Sequence, residues 1–258
     1  MPEMTDYPPG TPIWVDLMTT DLGAAREFYA GLFGWDSEDG DPAFGGYTMF
    51  TKGGKNVAGV GPVMAEGQPV VWSTYLATDD ADKTTELVRS AGGQVIVEPM
   101  DIPGAGRMAM YADPTGAAVG VWQAGEMKGA ELANEPGTVC WNELATRDVE
   151  AAKAFYSAAF PIEAQGTDWD PTYSTLNVNG RPVAGLMPMP AGYPPQVPAH
   201  WATYFAVDDT DDVVAKAAEL GAKVRQPASD SPAGRSAVLA DPQGGVFAVI
   251  AMSPEMQG

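Results

Sequence analysis

The sequence predicts an α+β protein of four modules, each with the element order β, α, β, β, β, arranged as two similar domains. The first observation behind this prediction is an internal repeat, because Trp14 and Asp21 recur as Trp141 and Asp148 in a similar local context. The second is the order of signals within each repeat. A strand-length apolar segment leads into an amphipathic helix and then into short strands separated by glycine and proline turns. This order occurs twice in each half of the chain.

The repeat extends beyond the first helix and divides the chain into two domains. The segment YTMFTKGGKNVAGVGP in the first half returns as YSTLNVNGRPVAGLMP in the second, and ADPTGAAVGV returns as ADPQGGVFAV. We therefore predict one domain at residues 10–124 and another at residues 137–252. A polar, glycine-containing linker at residues 125–136 joins them.

The predicted helices are recognised by their first residues and by their apolar spacing. The strands IWVDLMTT and VCWNELAT each run towards an aspartate, Asp21 or Asp148, whose carboxylate suits the free N–H groups at a helix start. Apolar residues then recur at helical spacing, which gives each helix one face to pack on a sheet. The second helix of each domain closes at glycine, in LVRSAGG and AAELGA. DPTG and DPQG supply proline and glycine for tight turns.

Composition restricts the partners of the protein. The 258 residues include 14 lysines and arginines against 34 aspartates and glutamates, a formal net charge of −20. This charge repels phosphate backbones and anionic head groups, so we expect neither nucleic acid nor a membrane surface as a partner. No segment resembles a signal peptide or a membrane span. We expect a soluble, cytoplasmic protein, either a monomer of two paired domains or a homodimer.

The single cysteine and the single histidine exclude several kinds of chemistry. Cys140 alone cannot form an intrachain disulfide framework or a site with several cysteine ligands. His200 alone excludes a two-histidine iron site and HExxH zinc chemistry. Neither a GxSxG elbow nor a P-loop signature is present. We therefore expect no cofactor.

Three kinds of segment, each present twice and in the same order, carry a resemblance to a known family. They are TTDLGAAREFYAGLFGW with RDVEAAKAFYSAAF, LATDDAD with AVDDTDD, and GRMAMYADPTGAAVGV with GRSAVLADPQGGVFAV. Together they resemble the vicinal oxygen chelate superfamily, which includes glyoxalase I, bleomycin-resistance proteins and extradiol dioxygenases, and within it the tandem two-domain glyoxalase-like branch. The resemblance implies that each pair of modules curls into a cup-shaped mixed sheet, with a site inside and two helices covering the outside.

The resemblance also implies where a metal would bind, and the side chains at those positions do not suit one. The three positions hold Trp14, Ser73 and Gly120 in the first domain, and Trp141, Ala202 and Ala248 in the second. A register slip of one residue would place Trp72 and Trp201 at the second position instead. His200 would be a lone imidazole nearby. We therefore predict no metal of the family's usual kind, and we expect Gly120 and Ala248 to leave empty volume in the cups.

A tryptophan and a carboxylate lie two residues apart in the first strand of each domain. Trp14 with Asp16, and Trp141 with Glu143, should share one face of their strands, because strand residues two apart do so. If that face is the cup, each tryptophan is a flat apolar wall for a ligand. The partly desolvated Asp16 and Glu143 then have raised pKa values and are candidate catalytic proton acceptors. Trp122 would add a further wall in the first domain.

Four further residues are candidate ligand-binding residues. Arg107 and Arg235, in DIPGAGR and DSPAGR, would anchor an anionic group or, alternatively, form salt bridges at a loop. Trp72 and Trp201 are further candidate walls. The alternative for all the tryptophans is plain core packing, and for the two carboxylates it is simple hydrogen bonding.

Three classes of function remain open. The first is a metal-independent protein that binds a small hydrophobic or aromatic molecule, as in the resistance branch of the family. The second is a lyase, isomerase or hydroxylase-like enzyme that uses Asp16 or Glu143 as its acid or base. The third is a non-catalytic interaction protein whose cups are filled by side chains. The loss of metal ligands favours the first over the standard glyoxalase activity of the family.

Overall fold

The computed structural model describes residues 6–42 and 45–254 of the chain. Sixteen strands and four helices lie in these residues, and the order β, α, β, β, β occurs four times, as predicted. In chain order the elements are β1 (Pro12–Thr19), α1 (Leu22–Phe33), β2 (Asp36–Ser37), β3 (Thr48–Lys52), β4 (Lys55–Pro62), β5 (Val71–Ala77), α2 (Ala81–Ser90), β6 (Gln94–Ile102), β7 (Gly106–Ala112), β8 (Ala118–Ala124), β9 (Val139–Thr146), α3 (Val149–Ala159), β10 (Glu163–Gly166), β11 (Ser174–Val178), β12 (Arg181–Pro188), β13 (His200–Ala206), α4 (Thr210–Glu219), β14 (Lys223–Ser231), β15 (Gly234–Ala240) and β16 (Val246–Met252).

Each half of the chain forms one eight-stranded mixed sheet. The strand order is β2-β3-β4-β1-β5-β8-β7-β6 in the first sheet and β10-β11-β12-β9-β13-β16-β15-β14 in the second. The two modules of a sheet meet at an antiparallel strand pair, which is β1 with β5 in the first sheet and β9 with β13 in the second. Within the modules of the first sheet, β1 pairs with β4 and β5 pairs with β8 in parallel. The predicted α+β fold of two similar domains is confirmed. Among the described residues, no helix is both long and apolar enough to cross a membrane.

All four helices begin at an aspartate whose carboxylate accepts a backbone N–H three residues further on, at 2.9 to 3.0 Å. These capping residues are Asp21, Asp80, Asp148 and Asp209. Each such hydrogen bond satisfies a donor that the helix itself leaves unpaired. The helix starts predicted at Asp21 and Asp148 are therefore confirmed.

The helix-bearing faces of the two sheets pack against each other. Phe28 and Tyr29 of α1 lie in one buried cluster with Phe205 and Phe247 of the second sheet, and the rings of Tyr29 and Phe247 are 5.6 Å apart. A second cluster joins Tyr156 of α3 to β7 and β8 of the first sheet. The first helix of each domain therefore packs against the second module of the other domain, which leaves the opposite face of each sheet pointing away from this shared core. We call that opposite face the cup face.

A matched pair of buried hydrogen bonds connects the first helix of each domain to a turn of the other domain. The Tyr156 hydroxyl donates to Asp113 Oδ2 at 3.1 Å, and the Tyr29 hydroxyl donates to Asp241 Oδ2 at 3.0 Å. Both aspartates belong to the predicted DPxG turns, where their other carboxylate oxygens accept backbone N–H groups of the turn. Each turn aspartate thus holds its own turn and a helix of the other domain.

We expect Tyr156→Phe to lower the free energy of unfolding by about 1–3 kcal/mol, because it leaves Asp113 Oδ2 and the Trp201 indole N–H without their partner in a buried place. Tyr29→Phe is the matched variant on the other side and should cost a similar amount. Urea unfolding followed by tryptophan fluorescence and by circular dichroism measures the change. Since the core is shared, both signals should move together, and two separate transitions in either variant would contradict this.

Candidate functional site

The predicted tryptophan and carboxylate lie together on the cup face of the central strand in each domain. On β1, Val15 and Leu17 point into the helix-side core, so Trp14 and Asp16 lie on the opposite face. Ser73 of β5 lies directly opposite Asp16 in the sheet, which brings the first and second modules together at the carboxylate. Alternation along the strand therefore places the acid and the indole side by side.

In the first domain, two tyrosines hold the acid. Tyr75 and Tyr47 donate to Asp16 Oδ2 at 3.0 and 3.3 Å, and the Trp14 indole N–H donates to the Tyr47 hydroxyl at 3.0 Å. Asp16 is 4% exposed, and its second oxygen, Oδ1, is buried without a hydrogen-bond partner in the described part of the chain. Burial raises the pKa of Asp16 to about 6, although Tyr75, Tyr47 and the neighbouring Ser73 hydroxyl act in the opposite direction. The Ser73 hydroxyl nevertheless makes no hydrogen bond of normal geometry with Oδ1.

The second domain repeats this arrangement with a longer acid. Tyr173 donates to Glu143 Oε2 at 2.8 Å and Tyr204 donates to Glu143 Oε1 at 3.0 Å. The Trp141 indole N–H donates to the Tyr173 hydroxyl at 3.0 Å. Glu143 is 8% exposed, and burial raises its pKa against the effect of the two tyrosine hydrogen bonds. The longer side chain allows each carboxylate oxygen its own tyrosine donor.

The sequence analysis did not identify the four tyrosines of these networks. Tyr75 and Tyr204 each lie two residues after Ser73 or Ala202, so strand alternation alone would have placed them on the cup face. The recurrence of a tyrosine at this position in both repeats was a second indication that these residues belong to the site. Tyr47 is the first residue of a segment recognised as repeated.

Tyrosine rings occupy the space that we expected to be empty. A side chain at Gly120 would collide with the ring of Tyr75, and one at Gly185 would collide with Tyr173 and Trp141. The expectation that Gly120 leaves free volume is therefore wrong, because the neighbouring strand supplies a large ring that covers it. In the second sheet Ala248 lies directly opposite Tyr204.

The side chains at the positions implied for a metal do not fit one. Trp14, Ser73 and Gly120 share the cup face of the first sheet but include no carboxylate, thiolate or imidazole. No group of three or more histidine, cysteine, aspartate and glutamate side chains within residues 6–42 and 45–254 could hold a metal ion. His200 lies on β13 with Nδ1 2.9 Å from the Pro198 carbonyl oxygen, which only accepts. Its remaining nitrogen is a single potential ligand.

The structure does not bring four of the predicted binding residues into the cups. Trp72 and Trp201 lie one residue away from Ser73 and Ala202 and therefore face the helix-side core, where they donate to the hydroxyls of Tyr29 and Tyr156 at 2.9 and 2.8 Å. Their predicted place in the cup is corrected. The other two residues are arginines with bidentate salt bridges to helix aspartates. The pairs are Arg107 with Asp82 of α2 and Arg235 with Asp211 of α4.

The cup of the first domain is closely filled. Trp122 lies on the cup face as predicted and packs in one buried cluster with Trp14 and Tyr75, and Met108 and Met110 pack against that cluster. The linker covers this end, since Met127 accepts the Trp122 indole N–H through its carbonyl oxygen at 2.9 Å. A cavity of about 210 Å³ borders Trp122, and Asp16 is not among its lining residues.

The cup of the second domain is more open. Trp141, Tyr173 and Tyr204 are only partly buried, and Trp169 beside Tyr173 is 54% exposed with its ring centre 4.8 Å from that of the tyrosine. Smaller side chains replace the large ones of the first cup. Met108, Met110 and Trp122 correspond to Ser236, Val238 and Ile250.

A loop at residues 189–199 lies beside the second cup. Its Tyr193 accepts a hydrogen bond from the Gln226 amide at 2.7 Å, and its ring stacks 6.5 Å from that of His200. Burial and, to a smaller extent, the charge of Glu143 raise the pKa of Tyr193. The Arg147 guanidinium holds the loop through the carbonyl oxygens of Pro194 and Val197.

Comparison with known proteins places the chain in a family. The model of the Glyoxalase/Bleomycin resistance protein/Dioxygenase superfamily matches residues 12–121, and that of a glyoxalase-like domain matches residues 139–250. The chain belongs to this superfamily, in a two-domain arrangement. It is 45% identical over 263 residues to "Putative glyoxylase CFP32" of Mycobacterium bovis, covering 99% of this chain and 100% of that protein. It is 43% identical over 266 residues to "Anthracycline biosynthesis protein DnrV" of Streptomyces peucetius, covering 96% and 95%.

Solved structures of more distant members share the fold. The Mn(II)-bound glyoxalase from Novosphingobium aromaticivorans superposes with a TM-score of 0.63 at 19% identity, over 94% of this chain and 82% of that one. The 2,3-dioxygenase LapB from Pseudomonas sp. KL28 gives 0.63 at 11% identity, over 97% and 96%. At these identities the likeness concerns the fold alone.

The pKa of Asp16 predicts how its ionisation affects stability. The pKa of Asp16 rises from about 3.9 in the unfolded chain to about 6 in the folded one. Well below pH 4 the acid is protonated in both states, so its ionisation does not lower the free energy of unfolding there. The cost grows between pH 4 and 6 and reaches about 3 kcal/mol above pH 6. Asp16→Asn cannot ionise. The free energy of unfolding of the wild type, measured relative to Asp16→Asn in urea, should therefore fall by about that amount from pH 4 to pH 7. Parallel curves for the two proteins would contradict a buried, ionisable Asp16.

Proposed function

We propose that the protein binds a small, planar, hydrophobic or aromatic organic molecule on the cup face of the second domain, without a metal. The observation that carries the proposal is a set of partly exposed aromatic side chains around one buried carboxylate. Trp141 and Tyr173 line this cup, and Trp169 leaves a large part of its ring in solvent. Tryptophan and tyrosine combine a large apolar surface with a polar end, which suits them to bind flat molecules.

The contrast between the two cups supports placing the site in the second. The first cup is filled by Trp14, Trp122 and methionine side chains, whereas the second has Ser236 and Ile250 at the positions of Met108 and Trp122. A ligand entering the second cup would cover aromatic surface that is now exposed, and burial of apolar surface is favourable by about 25 cal/mol per Å². The relative named for anthracycline biosynthesis is consistent with an aromatic ligand.

Trp141→Ala should weaken the binding of planar aromatic compounds by about 1–3 kcal/mol, because it removes an aromatic wall of the proposed site. Isothermal titration of a panel of such compounds measures this change. Trp14→Ala is the matched control, since it removes the equivalent indole from the filled cup, and it should alter binding by less than about 0.5 kcal/mol. Equal losses in both variants would contradict a site in the second cup. A panel in which nothing binds would instead favour the interaction-protein hypothesis.

A second candidate function, proton transfer by Asp16, is favoured by one specific observation. Oδ1 of this buried carboxylate has no hydrogen-bond partner among the described residues, although buried polar atoms normally have one. A pKa of about 6 keeps Asp16 largely ionised at neutral pH while it still accepts a proton readily. These are two properties of a general base, and they support the lyase, isomerase or hydroxylase-like hypothesis, which also requires the filled first cup to open for a substrate.

Asp16→Asn distinguishes this function from binding alone, because it keeps the shape of the side chain and removes the charge. If Asp16 is the base, the variant should slow the exchange of acidic C–H protons of bound carbonyl compounds in D₂O by about 10²–10⁴, with little change in their affinity. Proton NMR follows the exchange. The matched control is Glu143→Gln in the other cup. Exchange that is unaffected by Asp16→Asn would eliminate this residue as the base.

A further inference from the structure

We propose that the molecule bound in the second cup is an organic cation, with an ammonium group held between the carboxylate of Glu143 and the surrounding aromatic rings. This inference rests on the proposed function and adds the charge of the ligand to it. Four features support it: the remaining capacity of the carboxylate, the lack of a cationic partner, the aromatic surroundings and a matching arrangement in the first domain.

The carboxylate of Glu143 retains room for further hydrogen bonds. Tyr173 and Tyr204 each donate to a different oxygen. A carboxylate oxygen has two lone pairs, so each oxygen still has one position to accept a donor. An ammonium group carries up to three N–H donors and forms charge-assisted bonds with such an acceptor. The two tyrosines would at the same time keep the carboxylate oriented.

The described chain provides no cationic partner for this buried acid. The pKa of Glu143 responds to burial and to its two tyrosines, with no contribution from a lysine or arginine. Arg235 of the same sheet is paired with Asp211 and Asp230, and Arg147 binds carbonyl oxygens of the 189–199 loop. A buried charge without a counter-charge is costly. A cationic ligand would provide the missing charge.

The aromatic rings around the acid suit a cation as well as a flat molecule. The face of an indole or phenol ring carries a negative quadrupole that attracts an ammonium group, most strongly for tryptophan. Tyr173 donates to Glu143, Trp141 is hydrogen-bonded to Tyr173, and Trp169 packs on Tyr173. Three ring systems are thus linked to one carboxylate, and the outermost of them, Trp169, is exposed.

The first domain shows the same uncompensated charge independently. Asp16 is buried among Tyr47, Tyr75 and Trp14, its Oδ1 atom accepts no hydrogen bond of normal geometry within the described residues, and no lysine or arginine contributes to its pKa. The whole protein has a formal charge of −20, which attracts cations to its surface and repels anions at long range. Each of these facts argues against an anionic ligand.

Three naphthalene compounds of nearly equal shape test the proposal: 1-naphthylmethylamine, 1-naphthalenemethanol and 1-naphthoate. Their dissociation constants for the full chain are measured at pH 8 by isothermal titration. We expect the amine to bind at least about tenfold more tightly than the alcohol, and naphthoate to bind most weakly. Equal affinities for the amine and the alcohol, or tighter binding of naphthoate, would overturn the proposal while leaving aromatic binding intact. Failure of all three to bind would overturn the proposed function as well.

Two variants locate the preference at Glu143. Glu143→Gln should remove the advantage of the amine over the alcohol and leave the affinity for the alcohol within about twofold, because it keeps the shape and loses the charge. Glu219→Gln, at an exposed position in the same domain, removes one charge elsewhere and should keep the advantage. An advantage that survives in Glu143→Gln, or that disappears in Glu219→Gln, would overturn the assignment to Glu143. If Glu143→Gln fails to fold, the comparison of the three compounds on the wild type decides the proposal alone.

Discussion

The packing of the two helix-bearing sheet faces against each other determines where everything else in the molecule lies. Each helix has an apolar face that must be buried, and the first helix of each domain finds its partner in the other domain. Tyr29 and Tyr156 add directional bonds to this contact, since each donates to an aspartate in a turn of the opposite domain. The cup faces consequently point away from the shared core. Both candidate sites are therefore separate from the contact that holds the domains together.

The same alternation that builds the core also builds the sites. On β1, odd-numbered residues such as Val15 and Leu17 fill the core, so the even-numbered Trp14 and Asp16 must face the cup. A carboxylate buried there is costly, and tyrosine hydroxyls from neighbouring strands reduce the cost by donating hydrogen bonds. Neither network includes a lysine or arginine, which is why burial dominates and both carboxylates have raised pKa values.

Local patterns predicted the fold well because its signals are local and repeated. A capping aspartate, a helical face and a DPxG turn each depend on a few adjacent residues, and their double occurrence revealed the two domains. Alternation also placed the tryptophan and acid on one face. Contacts between distant residues were harder to predict. Both an anion anchor and a salt bridge were considered for Arg107, and the structure shows the salt bridge. Nothing in DIPGAGR indicates that its partner is Asp82, on a helix two elements earlier.

Local sequence patterns also could not predict that the cups are filled, because a side chain from the neighbouring strand can cover a glycine position. Gly120 lacks the side chain implied by the resemblance, yet the ring of Tyr75 lies over it. The chemistry of the cup differs as well as its volume, because Tyr75 brings a hydrogen-bond donor for Asp16 to the place where the resemblance implies a metal ligand.

Sequence differences between the two repeats give the two cups different fillings. The linker lies across the first cup through the bond from Trp122 to Met127, and methionines fill the remaining space. In the second sheet Ser236 and Val238 occupy the positions of Met108 and Met110 in the first. Its longer acid reaches both tyrosines with separate oxygens, while the shorter Asp16 uses one oxygen for both and leaves the other unpaired. The two repeats thus place a buried acid in each cup, and differences in side-chain volume leave the aromatic rings around Glu143 more exposed than those around Asp16.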